Sequence, residues 1–409
     1  MPTPGLPRLL DHWIEPAALF SERYSAAENA FWLEDGLGEG WSYLGRGSSI
    51  IERVPAPSAR VDAASDPGAP PFQAGWVGWH GYEGQSRFLR IDEMVAVHHP
   101  SRRIFLMASE DAVGAEIDSR ELPAAVRDSA EPDEAVTGQW RHDDDHYLGM
   151  IDQALAAIRA GDAYQLCLTN MWHSTSAVGD AEALWHRLRA SSPSHHSGYL
   201  RIGDTTLLST SPEQFLTISP DGQARTRPIK GTQRRGDSPE QDRRLAEELR
   251  TSAKERAENL MIVDLMRNDL SRVAITGTVE VTELFAIESY RQVHQLVSTI
   301  QARLRPEISV AQVFDALFPA GSMTGAPKRS AMSILSRLEQ GPRGIFSGVF
   351  GIIGDDSRTD LAMVIRSIVI DPAGTWIGAG GGITVLSDPI AELAELKLKA
   401  APLIASLAG

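Results

Sequence analysis

The chain has 409 residues, enough for one large or two ordinary domains, and 42% of them are hydrophobic and 23% charged. These fractions are typical of a soluble globular protein. The formal net charge of −15 disfavours nucleic acid and anionic membranes as partners, because phosphate binding depends on clustered Lys and Arg.

Cys167 is the only cysteine of the chain, so neither an intramolecular disulfide nor a cysteine metal cluster can form. Its apolar neighbours predict a buried, inert thiol. The N-terminus, MPTPGLPRLLDHW, carries prolines and an acid where a signal peptide needs an apolar run, and no apolar run approaches the length of a membrane span. We therefore expect a cytoplasmic protein without a membrane partner.

Two stretches rich in Pro, Ala, Ser and acidic residues predict loops in the first part of the chain. They are residues 53–71 and 122–138, and they flank the strand-like runs GWVGWHGYEGQ and RIFLMAS. We predict an N-terminal region over residues 1–140 and a larger domain over residues 141–409.

The larger region begins with a predicted helix that Asp145 caps and that Gly161 ends. The runs YQLCLT, GYLRI, TTLLST, QFLTIS and ARTRPI then predict strands, and a long helical tract is expected from Pro239 to about Arg272. Further strands are predicted in FSGVFGII, AMVIRSIVI and TWIGAGGGI, before a last helix in DPIAELAELKLKAAPLI. Strands and helices are grouped more than they alternate, which favours an α+β layered fold over a doubly wound parallel sheet.

Two predicted helices each carry a pair of glutamates at a spacing that places both on one face. Glu255 and Glu258 are three residues apart, as are Glu392 and Glu395, and Lys399 follows four residues after Glu395. Either set alone is ordinary for an exposed helix. Together, the two carboxylate pairs could surround a hard cation such as Mg²⁺, which prefers oxygen ligands and keeps several waters.

Two glycine-containing segments are candidate anion sites. WIGAGGGITVLSD holds Gly380, Gly381 and Gly382, which either form a flexible turn or bring backbone N–H groups close to a ligand. GSMTGAPKRS is similar to a phosphate loop but has Pro327 where such a loop requires glycine, which weakens a nucleotide-binding function. Pro327 before KRSAMSILSRL instead predicts a helix N-terminus.

Several single polar residues are weaker candidates. Arg366 interrupts the apolar run AMVIRSIVI, so it either is paired structurally or lines a pocket. Glu213 follows a strand-like run, where a carboxylate could reach a cleft. Four histidines lack metal-site spacing and are expected to be solvated: His98, His99, His195 and His196.

Seven sequence blocks, taken in order, resemble the chorismate-utilising enzymes. They are GDAYQLCLT, SPEQF, RPIKGTQRRG, KERAENLMIVDLMRNDLSRV, GSMTGAPKRSAM, MVIRSIVI and GAGGGITVLSDPIAELAELKLKA, and they extend from about Asp145 to the end of the chain. The family includes anthranilate synthase component I, aminodeoxychorismate synthase component I, isochorismate synthase and salicylate synthase. The resemblance implies two packed antiparallel β-sheets flanked by helices.

Two positions distinguish members of this family. Isochorismate and salicylate synthases use a lysine base where this chain has Gln165, and anthranilate synthases carry alanine where it has Lys230. The lysine in PIKGT is similar to that of the aminodeoxychorismate synthase component I subgroup. The chain departs from the family pattern at His294 and Gln295, where the usual histidine is one position later, and at Phe346, where tyrosine is common.

The resemblance implies a covalent mechanism on chorismate. Lys230 would attack C2 as the C4 hydroxyl leaves, with Glu213 as the general acid, and ammonia would then attack C4 and expel the lysine. The product would be 4-amino-4-deoxychorismate, the precursor of 4-aminobenzoate and folate. The amine must be neutral to attack, and we expect burial to help. Repulsion from three neighbouring arginines would add to this if they face the lysine: Arg227, Arg234 and Arg235.

The resemblance also implies the binding residues. Glu258 and Glu395 would bind Mg²⁺ directly, while Glu255 and Glu392 would hold its waters. The second carboxylate of chorismate would be bound by Arg366, Lys399 and the backbone of Gly380, Gly381 and Gly382. Further pocket residues would be Gln165, Thr324, His294 and Lys328.

Because the chain holds no Cys-His glutaminase, the resemblance implies a separate glutamine amidotransferase subunit that supplies ammonia. Two alternatives to aminodeoxychorismate synthesis remain. One is anthranilate synthase component I or another amino-transferring chorismate enzyme. The other, from a different class, is a non-catalytic regulatory subunit that binds chorismate without turnover.

Overall fold

The computed structural model describes residues 7–57, 68–108, 137–176, 178–290 and 293–407. Its strands form one twelve-stranded and one ten-stranded sheet, and all pairings among these residues are antiparallel. The predicted α+β fold, with two packed antiparallel sheets flanked by helices, is confirmed.

In chain order the strands are β1 (Arg8–Leu9), β2 (Ala30–Glu34), β3 (Trp41–Arg46), β4 (Ile50–Ile51), β5 (Gly75–His80), β6 (Ser86–Arg90), β7 (Glu93–His98), β8 (Arg103–Ala108), β9 (Gln139–Trp140), β10 (Gln165–Ser174), β11 (His196–Ile202), β12 (Thr205–Ser211), β13 (Gln214–Ile218), β14 (Gln223–Arg227), β15 (Ile229–Arg234), β16 (Glu280–Ser289), β17 (Val293–Arg303), β18 (Gly325–Ala326), β19 (Val349–Gly354), β20 (Thr359–Met363), β21 (Ser367–Asp371) and β22 (Gly374–Ile383). The helices are α1 (Pro16–Arg23), α2 (Asp144–Arg159), α3 (Ala181–Ser191), α4 (Pro239–Thr251), α5 (Ala253–Ser271), α6 (Val310–Leu317), α7 (Gly321–Thr324), α8 (Lys328–Glu339) and α9 (Pro389–Leu407).

Both sheets combine strands from the two predicted regions of the chain. The larger sheet has the order β1-β8-β7-β3-β2-β11-β12-β21-β22-β10-β18, with β9 beside β10, and the smaller has the order β15-β17-β14-β13-β20-β19-β5-β6-β4, with β16 beside β17. Pairing of β2 with β11 and of β5 with β19 therefore carries each sheet across residue 140. The division into residues 1–140 and 141–409 stays a prediction about folding units.

The apolar side chains form three layers. Phe31, Val77 and Phe350 belong to the core between the two sheets. Trp32, next to Phe31 on β2, instead belongs to the core between the larger sheet and its helices. Consecutive strand residues point to opposite faces, so the continuous apolar run AFWL reflects a sheet that is buried on both sides. The smaller sheet packs against α5 and α6 through residues such as Ile262.

Local signals differ in detail from the predicted helix bounds. Asp143, rather than Asp145, caps α2, because its side chain accepts a hydrogen bond from the backbone N–H of His146. The tract expected to run unbroken from Pro239 is two helices, α4 and α5. Ser252 leaves the helical conformation between them and caps α5 by accepting from the backbone N–H of Glu255.

The buried thiol predicted for Cys167 is confirmed. The predicted loop over residues 122–138 lies outside the described residues except for its last two positions. Within the described part of the chain, no helix has the combination of length and apolar character that crossing a membrane requires.

Candidate functional site

Glu213 and Arg366 lie where the chain passes from one sheet to the other. Glu213 stands between β12 of the larger sheet and β13 of the smaller, and Arg366 between β20 and β21. The two crossings touch: the Glu213 carbonyl accepts from the N–H of Met363 at 3.0 Å, and the Arg366 carbonyl accepts from that of Thr210 at 3.1 Å. Arg366 has a positive φ of 52°, which is uncommon for a side-chain-bearing residue. Together the crossings direct two charged side chains toward the seam between the sheets.

Lys230 occupies an irregular point of β15. The register against β17 shifts between Ile229 and Thr232, so two residues of β15 stand opposite one residue of its partner. Gly231 completes this bulge with a φ of 82°, and a Cβ atom there would lie 2.9 Å from Oε2 of Glu255. The bulge turns Lys230 toward α5, which packs over β15.

Three side chains converge on Gly382 of β22. A Cβ atom at that position would lie 2.5 Å from Nε2 of Gln165, 3.3 Å from Oε2 of Glu258 and 3.4 Å from Nζ of Lys230. These side chains come from β10, α5 and β15, which belong to both sheets and to the helix that covers the smaller one. The absent side chain of Gly382 is therefore what lets the lysine and the glutamate share one pocket.

The neighbouring glycines face α9. A Cβ atom at Gly381 would lie 3.0 Å from Oε2 of Glu392, and the carbonyl of Gly380 accepts a hydrogen bond of 2.8 Å from Nζ of Lys399. Lys399 also pairs with Glu395 at 2.6 Å. These glycines form a strand and not a flexible turn. Only the first residues of β22 pair with β21. Among the described residues, the rest of β22, including these glycines, pairs with β10 alone.

Lys254 links the two glutamate-bearing helices. Its Nζ lies 3.4 Å from Oε1 of Glu392 on α9 and 3.9 Å from Oε1 of Glu258 on its own helix. Lys254 was missed from the sequence, although its i,i+4 spacing to Glu258 was a signal for it. Ser387, also missed, donates a hydrogen bond of 2.7 Å to Glu392.

Burial changes the proton affinity of two carboxyl groups in this pocket. It raises the pKa of Glu213 to about 7, against smaller lowering effects of a hydrogen bond with Ser322 and of the nearby Lys230. It also raises the pKa of Glu258 to about 7, where the charge of Lys230 opposes it and the charge of Glu255 adds to it. Both groups therefore hold a proton more readily at neutral pH than an ordinary carboxyl group does.

Three further charged groups of the pocket have shifted pKa values. Burial, with Glu395 and Glu392 nearby, raises the pKa of Glu255. Burial also raises the pKa of Glu395, but the ion pair with Lys399 outweighs burial, and the net pKa is lowered. Burial lowers the pKa of Arg366, whose guanidinium donates to the carbonyl of Lys399 at 3.4 Å.

Among the described residues, no three His, Cys, Asp or Glu side chains are close enough to form a ready metal cage. The site nevertheless has one feature that a cation would use. Oε1 of Glu258 is buried and has no hydrogen-bond partner in the described structure. A buried carboxylate oxygen of this kind fits Mg²⁺, which commonly takes one or two carboxylates and completes its shell with water and substrate oxygens.

Three predicted pocket residues have contacts that explain them without a ligand. His294 is buried, with Nδ1 2.8 Å from Ser289 and Nε2 2.9 Å from Asp242, so both ring nitrogens are engaged. The ammonium of Lys328 contacts Asp269 at 2.6 Å and the carbonyl of Leu317 at 3.0 Å. The hydroxyl of Thr324 donates to backbone carbonyls of its own turn.

The three arginines expected to repel the lysine are paired with acids. Arg227 contacts Glu288, Arg235 contacts Asp242, and Arg234 lies 3.6 Å from Asp237. Their charges are thus compensated locally, which weakens the repulsion that they could exert on Lys230.

The four histidines expected to be solvated are all partly exposed, and His99 and His195 also contact Ser42 and Asp35. His196 begins β11, and burial lowers its pKa to about 4. Phe346, where the family commonly has tyrosine, is buried against Gly378, at which a Cβ atom would lie 2.1 Å from its ring.

A buried ion pair connects elements next to the pocket. Arg343 pairs with Glu339 at 2.6 Å and donates to the carbonyls of Met323 at 2.6 Å and Cys167 at 2.8 Å. Glu339 in turn accepts from the backbone N–H and the hydroxyl of Thr169, both at 2.9 Å. The pair therefore joins α8 to β10, the strand that carries Gln165.

Comparison with known proteins identifies the family of the chain. Residues 67–405 match the family model described as chorismate binding enzyme. The chain is 37% identical over 426 residues to an aminodeoxychorismate synthase of Streptomyces pristinaespiralis, covering 96% of this chain and 59% of that protein. The present chain thus spans little more than half the length of that relative.

Two bacterial relatives are matched over more of their length. Aminodeoxychorismate synthase component 1 of Escherichia coli is 35% identical over 347 residues, covering 80% of this chain and 75% of that protein. Anthranilate synthase component 1 of Streptomyces coelicolor is 33% identical over 437 residues, covering 94% and 85%.

The solved structure of anthranilate synthase component I from Streptococcus pneumoniae shares the fold. Its TM-score is 0.75 at 24% identity, over 97% of this chain and 92% of that one. The matched model spans most of the chain, including every residue that forms the pocket. This chain therefore belongs to the family of chorismate-binding enzymes.

Proposed function

We propose that the chain is the chorismate-aminating component of an aminodeoxychorismate synthase. The observation that carries this proposal is the convergence of Lys230 and Glu258 on Gly382, beside a buried Glu213. A surface lysine would need no such surroundings. Two of the relatives above are named aminodeoxychorismate synthase, and one of these is a component 1.

Glu213 is suited to the first proton transfer. With a pKa raised to about 7 by burial, its carboxyl group still holds a proton in a useful fraction of molecules at neutral pH. In the proposed step, neutral Lys230 forms a C–N bond at C2, the two ring double bonds shift, and the C4–O bond breaks. The hydroxyl leaves as water with the proton of Glu213.

The second step restores the enzyme. Ammonia forms a bond to C4, the double bonds shift back, and the C2–N bond breaks with its electron pair returning to Lys230. The new C4 ammonium gives its proton to the Glu213 carboxylate. The balance is chorismate plus ammonia to 4-amino-4-deoxychorismate plus water, and both side chains end in their starting states.

The partial neutrality of Glu213 and Glu258 also serves the lysine. Carboxylates close to an amine favour its protonated form. Since burial holds the pKa of both acids near 7, they present less negative charge to Lys230 than fully ionised glutamates would. A neutral Lys230 is a requirement of the proposal and stays a prediction.

For the metal, we propose Glu258 and Glu395 as direct ligands of Mg²⁺, and Glu255 and Glu392 as residues that hold its waters. The unpartnered buried oxygen of Glu258 supports this assignment. When bound, Mg²⁺ would polarise a ring carboxylate and stabilise the negative charge of the substrate.

The second carboxylate of chorismate is assigned to Arg366, Lys399 and the N–H groups of Gly380–Gly382. Arg366 is partly buried at the crossing between the sheets, and Lys399 already contacts the glycine backbone. Two cations and the unpaired edge of β22 can all donate hydrogen bonds to a carboxylate. Hydrogen bonds between charged groups are stronger than those between neutral groups. Ammonia would come from a separate glutamine amidotransferase subunit, which the component 1 name of the relative supports.

The match to anthranilate synthase component 1 supports a second candidate function. Incubation of the chain with chorismate, Mg²⁺ and ammonium, followed by mass spectrometry, separates the two. We expect 4-amino-4-deoxychorismate, and anthranilate would overturn the proposal.

The same assay tests the role of Lys230. We expect Lys230→Ala to lower the rate at least about 10³-fold, since the covalent step would be lost while binding remains. Lys397→Ala on α9, whose partner is Asp144 outside the pocket, is the matched control. A Lys230→Ala variant as fast as this control would remove the covalent role but leave the reaction assigned.

A further inference from the structure

Lys254 is the cation that lies between the two glutamate pairs. It is in the first turn of α5, and its ammonium reaches across to α9, 3.4 Å from Oε1 of Glu392. The side chains of Glu258 and Glu392 are 8% and 5% exposed, whereas that of Lys254 is 38% exposed. A partly solvated cation thus contacts two buried carboxylates.

The oxygens that Lys254 approaches have few other partners. Oε1 of Glu258 has no hydrogen bond in the described structure, and Nζ of Lys254 stands 3.9 Å away. Oε1 of Glu392 accepts from Ser387 in addition to the lysine.

A lysine side chain is an ammonium group at neutral pH, since its reference pKa is about 10.4. The other cations of the pocket include Lys230 on β15, Lys399 on α9 and Arg366 between β20 and β21.

We propose that Lys254 is a built-in competitor of the divalent cation: its ammonium holds the Glu258 and Glu392 carboxylates, and metal binding displaces it. This inference rests on the metal assignment made under the proposed function. An ammonium and a dication cannot stay on the same oxygens, because like charges a few ångströms apart repel strongly. Lysine can leave, since its stem is flexible and its head group is readily hydrated.

Displacement has a consequence for affinity. Part of the free energy of metal binding is used to break the contacts of Lys254, so the chain binds Mg²⁺ more weakly than four glutamates without the lysine would. Metal binding then becomes favourable mainly when the substrate adds its own carboxylate to the site. Lys254 would in this way couple metal binding to substrate binding.

The test is a calorimetric titration of the full chain with Mg²⁺ in the absence of substrate. We expect Lys254→Met to bind Mg²⁺ about tenfold more tightly than the wild type, which corresponds to about 1.4 kcal/mol. Lys254→Arg, which keeps the charge, is expected to bind as weakly as the wild type. Lys397→Met, on α9 and paired with Asp144, controls for a general change of net charge.

A second readout does not depend on the titration. In the presence of a chelator, Lys254→Met should melt at a lower temperature than the wild type, because the glutamates lose a counter-charge. Added Mg²⁺ should then raise the melting temperature of this variant more than that of the wild type.

The outcomes are separable. Unchanged or weaker Mg²⁺ binding by Lys254→Met, with a wild type that does bind, would overturn the competitor role alone. A wild type that binds no Mg²⁺ even with chorismate present would overturn the metal assignment itself, and the competitor role with it. An equal gain in Lys397→Met would reduce the effect to net charge and likewise refute the inference.

Discussion

Replacing Glu213 by glutamine should stabilise the chain at alkaline pH while it abolishes the first proton transfer. The carboxyl group is buried, and burial raises its pKa from the ordinary 4.5 to about 7. A pKa difference of this size means that ionising Glu213 costs about 3 kcal/mol more in the folded protein than in the unfolded chain. Glutamine has nearly the same shape and carries no charge, so it removes this cost.

The sign follows from proton linkage. Below pH 4.5 the carboxyl is protonated in both the folded and the unfolded chain, and Glu213 costs nothing. As pH rises from there through about 7, the unfolded chain ionises first, and the native state loses up to about 3 kcal/mol relative to it. The gain in stability of Glu213→Gln over the wild type should therefore grow across this window and level off near pH 8.

Urea unfolding at pH 5, 6, 7 and 8, in buffer with a chelator, measures this difference. Glu280→Gln, at an exposed position of β16, is the matched control and should show no such trend. The reasoning would be refuted by a Glu213→Gln variant whose stability advantage stays constant with pH. In the same variant the amination rate should fall about 10²–10⁴-fold, as is usual for loss of general acid catalysis.

Three further predictions concern the pocket and its support. Glu258→Gln should weaken Mg²⁺ binding by more than the roughly 10–100-fold typical of residues that only orient a ligand, and an unchanged calorimetric titration would contradict a direct metal contact. Gly382→Ala should lower kcat/KM by about 10²-fold with little loss of melting temperature, because its Cβ atom would lie 2.5 Å from a movable Gln165 side chain; full activity would show that the convergence is not functional. Arg343→Met should destabilise the chain by about 3–5 kcal/mol in urea, because it leaves Glu339 buried and unpaired. The double variant Arg343→Met/Glu339→Gln should recover part of that loss, and no recovery would argue against the pair as its source.

Much of the site could be predicted from local sequence. The i,i+3 spacing of Glu255 and Glu258 fixes their common face on any helix, and the same holds for Glu392 and Glu395. Gly231 has a positive φ, a conformation that glycine adopts more readily than any other residue, so the residue type itself indicates this feature. These features depend on a few neighbouring residues, so no long-range contact is needed to foresee them.

Other features depended on contacts between distant parts of the chain. Whether Lys254 faces solvent or the opposite helix cannot be deduced from its i,i+4 partner, because Glu392 lies 138 residues away. His294 resembled a substrate contact until its ring was found between Ser289 and Asp242. The three arginines lie near Lys230 in the sequence, but each pairs with a different acid.

The sequence by itself determined most of the element types, the paired carboxylates and the lysine next to a glycine, because each is set by spacing along one helix or strand. The tertiary structure alone decided which of these groups meet. Gln165, Glu258 and Lys230 come together only because two sheets and a helix meet at Gly382, where the missing side chain leaves room for them. The raised pKa of Glu213 has the same origin, since burial depends on what the rest of the chain places around the group.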